Sequence, residues 1–394
     1  MLLKRTVLGY DPYLGASSLE EGNVEGYALT DMAVMFEPSD VLMLWDGERS
    51  GLVGHNLRGV VSSTVQKLTP SKEITGTYLY YHLLFRFDWI QGRRTGTGVP
   101  HVPKDLARIL NVKYPLNTIE QESITSILVS IDKAIEKTES LIAKYQQIKA
   151  GLMHDLFTRG VTADGKLRPP REQAPELYKE TQIGWIPKDW EVSTIDSLLD
   201  RVIDYRGKTP AKTVSGIRLI TAKNVRPGYV DPEPMEFIAE RDYAGWMTRG
   251  IPNAKDILFT TEAPLGNVAQ IASDEKLAFA QRVIILQVSD KAYPVFIKYL
   301  LMSESGQRAV LRLATGTTAL GVKQSEFRKI QIPYPIALEE QRLIAKTLCG
   351  IEDMIGGEQK VKNKLLSKKY GLMHDLLTGK VRVNAKLNLL EDIA

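Results

Sequence analysis

Cysteine is almost absent from this sequence: Cys349 is the only one in 394 residues. A single thiol excludes an internal disulfide framework and a cysteine-based zinc site. Cys349 falls on an apolar helical stripe, where it reads as a small buried residue. Long hydrophobic runs are also missing; no stretch of 18 apolar residues occurs, so no membrane-spanning helix is expected. The opening residues Met1-Leu2-Leu3-Lys4-Arg5 carry neither the apolar core nor the small-residue cleavage site of a secretory leader. The chain therefore reads as cytoplasmic, with no membrane partner. Charge of one sign is not in excess, because 51 Lys+Arg face 47 Asp+Glu for a net +4. Any nucleic-acid face must come from segregating charge rather than from abundance of it.

Catalytic signatures are lacking too. Gly160 to Leu167 has the glycine and lysine spacing of a phosphate-binding loop, but Leu167 stands where a Mg²⁺-binding Ser or Thr is needed, and a helical pattern precedes it instead of a strand. Asp11-Pro12-Tyr13 only partly matches the active-site tetrapeptide of adenine methyltransferases, and no glycine-rich cofactor loop lies nearby. His154 and His374 have no ligand partner at metal spacing beyond a neighbouring Asp. Neither a Ser-His-Asp nor a paired-carboxylate arrangement can be assembled. No catalytic or metal-binding residue is assigned.

What the sequence does contain is a repeat. Tyr114 to Val161 aligns without a gap on Tyr334 to Val381, an offset of 220, with 18 of 48 pairs identical. The landmarks are Tyr114-Pro115 with Tyr334-Pro335, Glu120-Gln121 with Glu340-Gln341, and the block Gly151-Leu152-Met153-His154-Asp155-Leu156 with Gly371-Leu372-Met373-His374-Asp375-Leu376. Upstream, Thr95-Gly96-Thr97 matches Thr315-Gly316-Thr317 in the same frame. Further upstream the offset drifts to 216 (Asp40 with Asp256) and 206 (Ala16 with Ala222), as loops of unequal length require.

The closely repeated part is helical. Ile124, Leu128, Ile131 and Ile135 step by 4, 3 and 4, then Ile142, Tyr145, Leu152 and Leu156 keep the frame. Ile344, Leu348, Ile351 and Ile355 return the pattern until Gly356-Gly357, where a kink or a close helix approach is expected. This is a coiled-coil seam on a helix of roughly 55 Å. Its nearest partner is the other copy, which implies an antiparallel pair with pseudo-two-fold symmetry and a globular domain at either end.

The globular parts have diverged. Ile217 to Thr221, Asp256 to Thr260, Val268 to Ala272 and Arg282 to Val288 read as strands, and Val295 to Arg312 as helix. That is an α+β fold with a β-rich core. The organisation expected is a first domain at 1–113, a helical region at 114–160, a linker at 161–184, a second domain at 185–333, a helical region at 334–381 and a tail at 382–394. The first domain has no counterpart of Trp190 to Asp204, so its opening element is missing or supplied from elsewhere, for which the tail is a candidate.

The order domain, Tyr-Pro, Glu-Gln, long helix, Gly-Leu-Met-His-Asp-Leu, domain, helix closely resembles the specificity subunit of type I restriction-modification enzymes. The segments Tyr178 to Pro187 and Leu376 to Val381 also look like that family. The resemblance implies two target recognition domains, each reading half of a split double-stranded DNA sequence. It implies paired helices that fix the spacer and dock methyltransferase (modification) subunits. It further implies that this chain does no chemistry and binds no cofactor. S-adenosylmethionine would be used by the modification subunits, and ATP with Mg²⁺ by the restriction subunits that translocate and cleave.

Base discrimination needs Arg, Lys, Asn, Gln and Thr at turns. The second domain offers Arg206, Lys208, Thr209, Lys223, Asn224, Arg226, Gln281, Arg282, Thr317 and Lys323; the first offers Arg49, Asn56, Arg58, Arg93, Arg94 and Thr97. The Thr-Gly-Thr loops recur in both copies and so suit a shared role rather than discrimination. The alternative is a coiled-coil scaffold that binds proteins and no DNA.

Overall fold

A computed structural model of the chain describes residues 2–5, 7–31, 33–205, 209–316 and 320–383. It divides into two compact units, Met1–Leu141 with Glu358–Ala394, and Ile142–Gly357. Both cuts fall inside the long helices, Thr118–Thr158 and Leu338–Leu377, and not at the domain edges the repeat suggested. Each unit therefore holds one β-rich module, the beginning of the helix that follows it and the end of the other helix. No helix among the described residues is long and apolar enough to cross a membrane.

In the second unit the central sheet runs Leu199–Asp204, Val283–Val288, Ile257–Thr260, Val268–Gln270, antiparallel throughout. Ile257 to Thr260 are all buried, as a strand covered on both faces must be. A second sheet pairs Ile217–Ile220 with Leu277–Phe279 in parallel and with Phe237–Ile238 in antiparallel sense. Trp190–Thr194 pairs with Gln331–Pro335, the strand that leads into the long helix. Pro294 opens the helix Pro294–Met302, where its missing N–H costs nothing. That helix packs with Ile344 and Leu348 of one long helix and Leu156 and Phe157 of the other.

The first unit repeats this plan with strands missing. Val53–His55, Val41–Leu44 and Val65–Leu68 form an antiparallel sheet, and Tyr10–Leu14 pairs in parallel with Gly59–Val61. Among the described residues nothing pairs with the outer edge of Val65–Leu68, where the second unit has Leu199–Asp204. The helix Gly76–Phe85 buries Tyr78 and Tyr81 against Ile124, Leu128, Met373, Leu376 and Leu377.

The seam is buried as its spacing requires: Ile124, Leu128, Ile131 and Ile135 in the first unit, Ile344, Leu348 and Ile351 in the second. Its sense is antiparallel. In the first unit Lys369 pairs with Asp132 and Lys362 with Glu139, so one number falls as the other rises. The close helix approach expected at the glycines is corrected: the helix Leu338–Leu377 continues through them, and a Cβ added at Gly356 or Gly357 would meet nothing within 4 Å. These glycines allow no close approach among the described residues.

The Glu-Gln landmark has a structural reason in both units. Gln121 accepts from the Thr75 N–H (2.9 Å) and donates to the Glu73 and Pro115 carbonyls. Gln341 accepts from the Tyr293 N–H (2.7 Å) and donates to the Lys291 and Pro335 carbonyls. Both side chains are fully buried, so each glutamine satisfies the backbone at the start of a module helix and of a long helix at once. The preceding glutamate takes an arginine from beyond the other helix: Arg382 on Glu120, and Arg168 on Glu340. Arg168 is 7% exposed, which corrects the linker assignment at 161–184. That segment is part of the fold, and it includes the hairpin Tyr178–Thr181 with Gly184–Pro187.

A third recurring contact joins each module helix to both long helices. In the first unit the Tyr81 hydroxyl donates to Asp132 (2.7 Å), which also takes Lys369 (2.7 Å). In the second the Tyr299 hydroxyl donates to Glu352 (2.5 Å), which takes Lys149 (2.6 Å) and Lys298 (3.3 Å). Burial pushes the Glu352 carboxyl up, but its hydrogen bonds from Lys149 and Tyr299 and the Lys298 charge more than offset this and hold it below its ordinary range.

Candidate nucleic-acid interface

In the second unit the turn that joins Leu277–Phe279 to Val283–Val288 carries Gln281 and Arg282. Arg282 sits in the left-handed region at φ 75°, which is uncommon for a side chain of this size. Its carbonyl accepts from the Thr261 N–H (2.9 Å), while its guanidinium reaches Glu262 at 2.8 Å. Glu262 is in turn bridged to Gly321, and Thr315 exchanges two backbone hydrogen bonds with Gly321 at 2.8 and 2.9 Å. Thr315 and Gly321 are thus pinned to the end of the central strand.

Two recesses flank this turn. One, of about 260 Å³, is lined by Glu262, Gln281, Arg282, Thr315 and Lys323. The other, of about 220 Å³, is lined by Thr209, Lys212, Lys223, Glu236 and the same Gln281-Arg282 pair. Folding therefore gathers five of the residues expected from sequence, Thr209, Lys223, Gln281, Arg282 and Lys323, around one exposed turn. Arg206, Lys208 and Thr317 lie outside the described residues.

Two expected residues sit elsewhere. Asn224 is corrected: it is fully buried, its carbonyl oxygen accepts from the Thr221 N–H (3.0 Å), and its amide donates to the Asp231 and Pro234 carbonyls. It builds a turn and has no atom free for a base. Arg226 lines neither recess; it pairs with Asp231 at 3.2 Å. The Glu233 N–H, with Arg226 adding to it, holds the Asp231 carboxyl below its usual range.

The first unit makes the same backbone hydrogen bonds at the same place, although Thr64 does not share the left-handed conformation of Arg282. Thr95 and His101 exchange hydrogen bonds at 3.0 and 2.9 Å, and the Val102 N–H donates to the Trp45 carbonyl at 2.9 Å, as Val322 does to Thr261. The Trp45 N–H donates to the Thr64 carbonyl at 2.8 Å, as Thr261 does to Arg282. The position of Arg282 is thus held by Thr64 in the first unit, and that of Glu262 by Asp46. Of the other residues expected from sequence, Arg94 donates to the Glu48 and Gln91 carbonyls, Arg49 pairs with Glu20, and Thr97 is exposed. Arg93 stacks over the Trp89 ring at 3.8 Å.

Asn56 and Arg58 are exposed but do not join this group. They follow His55, whose strand partner is Val41, at the opposite end of the strand from Asp46. Sequence reasoning missed Asp46, Glu262, Lys212 and Glu236. The offset of 216 that links Asp40 to Asp256 also links Asp46 to Glu262, so that acidic pair was there to be found.

Comparison with known proteins bears on this arrangement. The family model for the type I restriction modification DNA specificity domain matches residues 187–367. The MjaVIII type I restriction enzyme specificity subunit of Methanocaldococcus jannaschii is 31% identical over 384 residues, covering 95% of this chain and 87% of that protein. A putative MjaX specificity subunit of the same organism is 27% identical over 70% of this chain and 61% of its own length. Among solved structures, a type I restriction-modification S subunit from M. genitalium superposes with a TM-score of 0.58 at 16% identity, covering 94% of this chain and 90% of that one. A chain from a study of complex assembly and conformational transition in the type I system gives 0.52 at 14% identity, covering 94% and 92%. The chain belongs to the family of type I restriction-modification DNA specificity subunits.

Proposed function

We propose that this chain recognises a bipartite duplex-DNA target, one half-site per unit, and that its long helices set the spacer and carry the partner subunits. The observation that carries this reading is the pairing of a common hydrogen-bond frame with unlike side chains. The same hydrogen bonds hold Thr64 and Arg282, yet one presents a short hydroxyl and the other a guanidinium. Arginine suits bidentate contact with guanine, and threonine suits a thymine methyl or a single hydrogen bond. Two readers on one scaffold that differ at equivalent turns suit two different half-sites.

In this reading the chain itself is non-catalytic and cytoplasmic. Methyl transfer from S-adenosylmethionine belongs to modification subunits, and ATP- and Mg²⁺-dependent translocation and cleavage to restriction subunits. Docking of modification subunits fits a second repeated feature. Gly151, His154, Asp155 and Thr158 recur as Gly371, His374, Asp375 and Thr378, and both histidine side chains are exposed. Exposed neighbours have drifted apart, as Ile148 to Lys368 and Ala150 to Tyr370 show. A surface kept twice, with both histidines exposed, suits two copies of one partner.

The test is reconstitution with the modification subunits, followed by methylation sequencing of a random-sequence DNA library. A split adenine-methylated motif, with binding that falls steeply as salt rises, supports the reading. Absent or salt-insensitive DNA binding by the assembled complex overturns it in favour of a protein scaffold.

A further inference from the structure

Resting on the two-reader function just proposed, we infer that the networks Tyr81–Asp132–Lys369 and Tyr299–Glu352–Lys149 are orientation clamps that decide how strictly the spacer between half-sites is enforced. The two share a tyrosine, an acid and a lysine in the same arrangement, and the second adds Lys298 on Glu352 Oε2 at 3.3 Å. Asp132 Oδ2 takes the Tyr81 hydroxyl and Oδ1 takes Lys369, both at 2.7 Å. Glu352 Oε2 takes the Tyr299 hydroxyl at 2.5 Å and Oε1 takes Lys149 at 2.6 Å. The lysine Nζ stands 5.9 Å from the Tyr81 ring centre and 6.0 Å from that of Tyr299.

Each network joins three elements of its own unit: the module helix, the long helix that follows the module, and the end of the other long helix. Apolar contacts along a helix tolerate sliding and small rotations, because they have no preferred direction. A carboxylate with donors on both oxygens does not; its geometry is fixed in distance and angle. The phenols are 3% and 0% exposed, so water cannot replace a lost partner freely. Between the Glu-Gln landmark and the Gly-Leu-Met-His-Asp-Leu block most exposed helix positions have drifted, yet the acid, the lysine and the tyrosine return in both units. This is more than the module core needs for burial, which phenylalanine would serve as well.

Half-site spacing follows the geometry of the protein that reads it. A module that rocks on its helices blurs that spacing without changing which bases it contacts. Tyr81, Asp132, Lys369, Tyr299, Glu352 and Lys149 are thus positioning residues and touch no DNA.

The experiment compares the assembled complex with wild-type, Tyr81→Phe, Tyr299→Phe and doubly substituted chains on targets whose spacer is correct or one base pair too long or short. Phenylalanine keeps the buried ring and removes only the hydroxyl. At temperatures well below unfolding, the ratio of methylation at the correct spacer to that at the altered spacers is expected to fall about tenfold for each substitution, one hydrogen bond's worth of discrimination. The half-site sequences stay the same. Asp132→Glu, which installs the acid used by the other unit, is expected to keep most of the ratio. Should a phenylalanine chain fail to assemble, Lys369→Gln in the first unit and Lys149→Gln combined with Lys298→Gln in the second remove the lysine charges from the same networks and are read in the same way. A ratio within twofold of wild type in chains that bind normally overturns the proposal, as does a change in half-site sequence. If the wild-type complex methylates no split target, the two-reader function has failed, and that is a separate result.

Discussion

Arg168 and Glu340, 172 positions apart in sequence, form a buried two-pronged ion pair, with Nη2 at 3.0 Å from Oε2 and Nη1 on Oε1. Glu340 also accepts from the Val161 N–H and the Trp190 indole, both at 3.0 Å. Gly160 lies against the same group in the left-handed conformation (φ 63°), and a Cβ there would collide with Glu340, Arg168 and Trp190. Removing the charge with Glu340→Gln leaves Arg168, whose side chain is 8% exposed, short of its main partner. We expect a loss of about 3–5 kcal/mol in the stability of the second unit, measured by urea denaturation. Glu120→Gln in the first unit is expected to cost much less, because the Arg382 side chain is 72% exposed and rehydrates. Equal losses at the two sites contradict this account.

His82 supplies a pH dependence. Burial first, and the Arg86 charge second, lower its pKa from 6.5 to about 4, so the folded first unit holds it neutral. The unfolded chain binds a proton below about pH 6.5 that the folded chain refuses until about pH 4. Stability from this group is therefore complete above pH 6.5 and drains away as pH falls to 4, by on the order of 3 kcal/mol. His82→Phe should flatten that part of the curve. The check is the difference between variant and wild-type unfolding free energies at pH 7 and pH 4.5; an unchanged difference refutes it.

The reading residues separate by what they touch. Arg282→Ala should cost about 1–3 kcal/mol on the cognate target and relax preference at one position of one half-site. Lys323→Ala should weaken all sequences evenly and reduce the salt slope by about 1. Asn224→Ala should act through stability instead, since its amide serves the backbone. Competition binding with single-base target variants over a salt series distinguishes the three.

Partner docking makes a stoichiometric prediction. His154→Ala is expected to lose one modification subunit, His374→Ala the other, and the double substitution both, as read by native mass spectrometry. Full occupancy by the doubly substituted chain removes this face from the docking surface.

How much of this was legible in the sequence follows from the range of each interaction. The helices were plain, because a seam of Ile124, Leu128, Ile131 and Ile135 is a local pattern that burial preserves. The Glu-Gln landmark was visible as a repeat, but not why it repeats. Gln121 bonds to Thr75 and Glu73, and Glu340 to Arg168, across separations that no local rule reaches. The linker was misjudged for the same reason: Arg168-Pro169-Pro170-Arg171 has linker composition, and only a carboxylate from far along the chain draws Arg168 inside. Asn224 shows the limit of residue type, since an asparagine that closes a turn and one that reads adenine are written alike. What placed Gln281, Arg282, Lys223 and Lys323 together was strand pairing, which the sequence showed as elements but not as neighbours.

The first unit is assembled from the two ends of the chain, with 216 residues of the second unit (Ile142–Gly357) inserted between its parts. On the ribosome the order of emergence then matters. At about 5–20 residues per second, the first module waits roughly 13–50 s before Met373, Leu376 and Leu377 appear to cover Tyr78 and Tyr81. The second unit is contiguous and can close first. A stop codon or a frameshift near the 3′ end of the message would thus strike the first reader, whose own coding sequence had been translated intact.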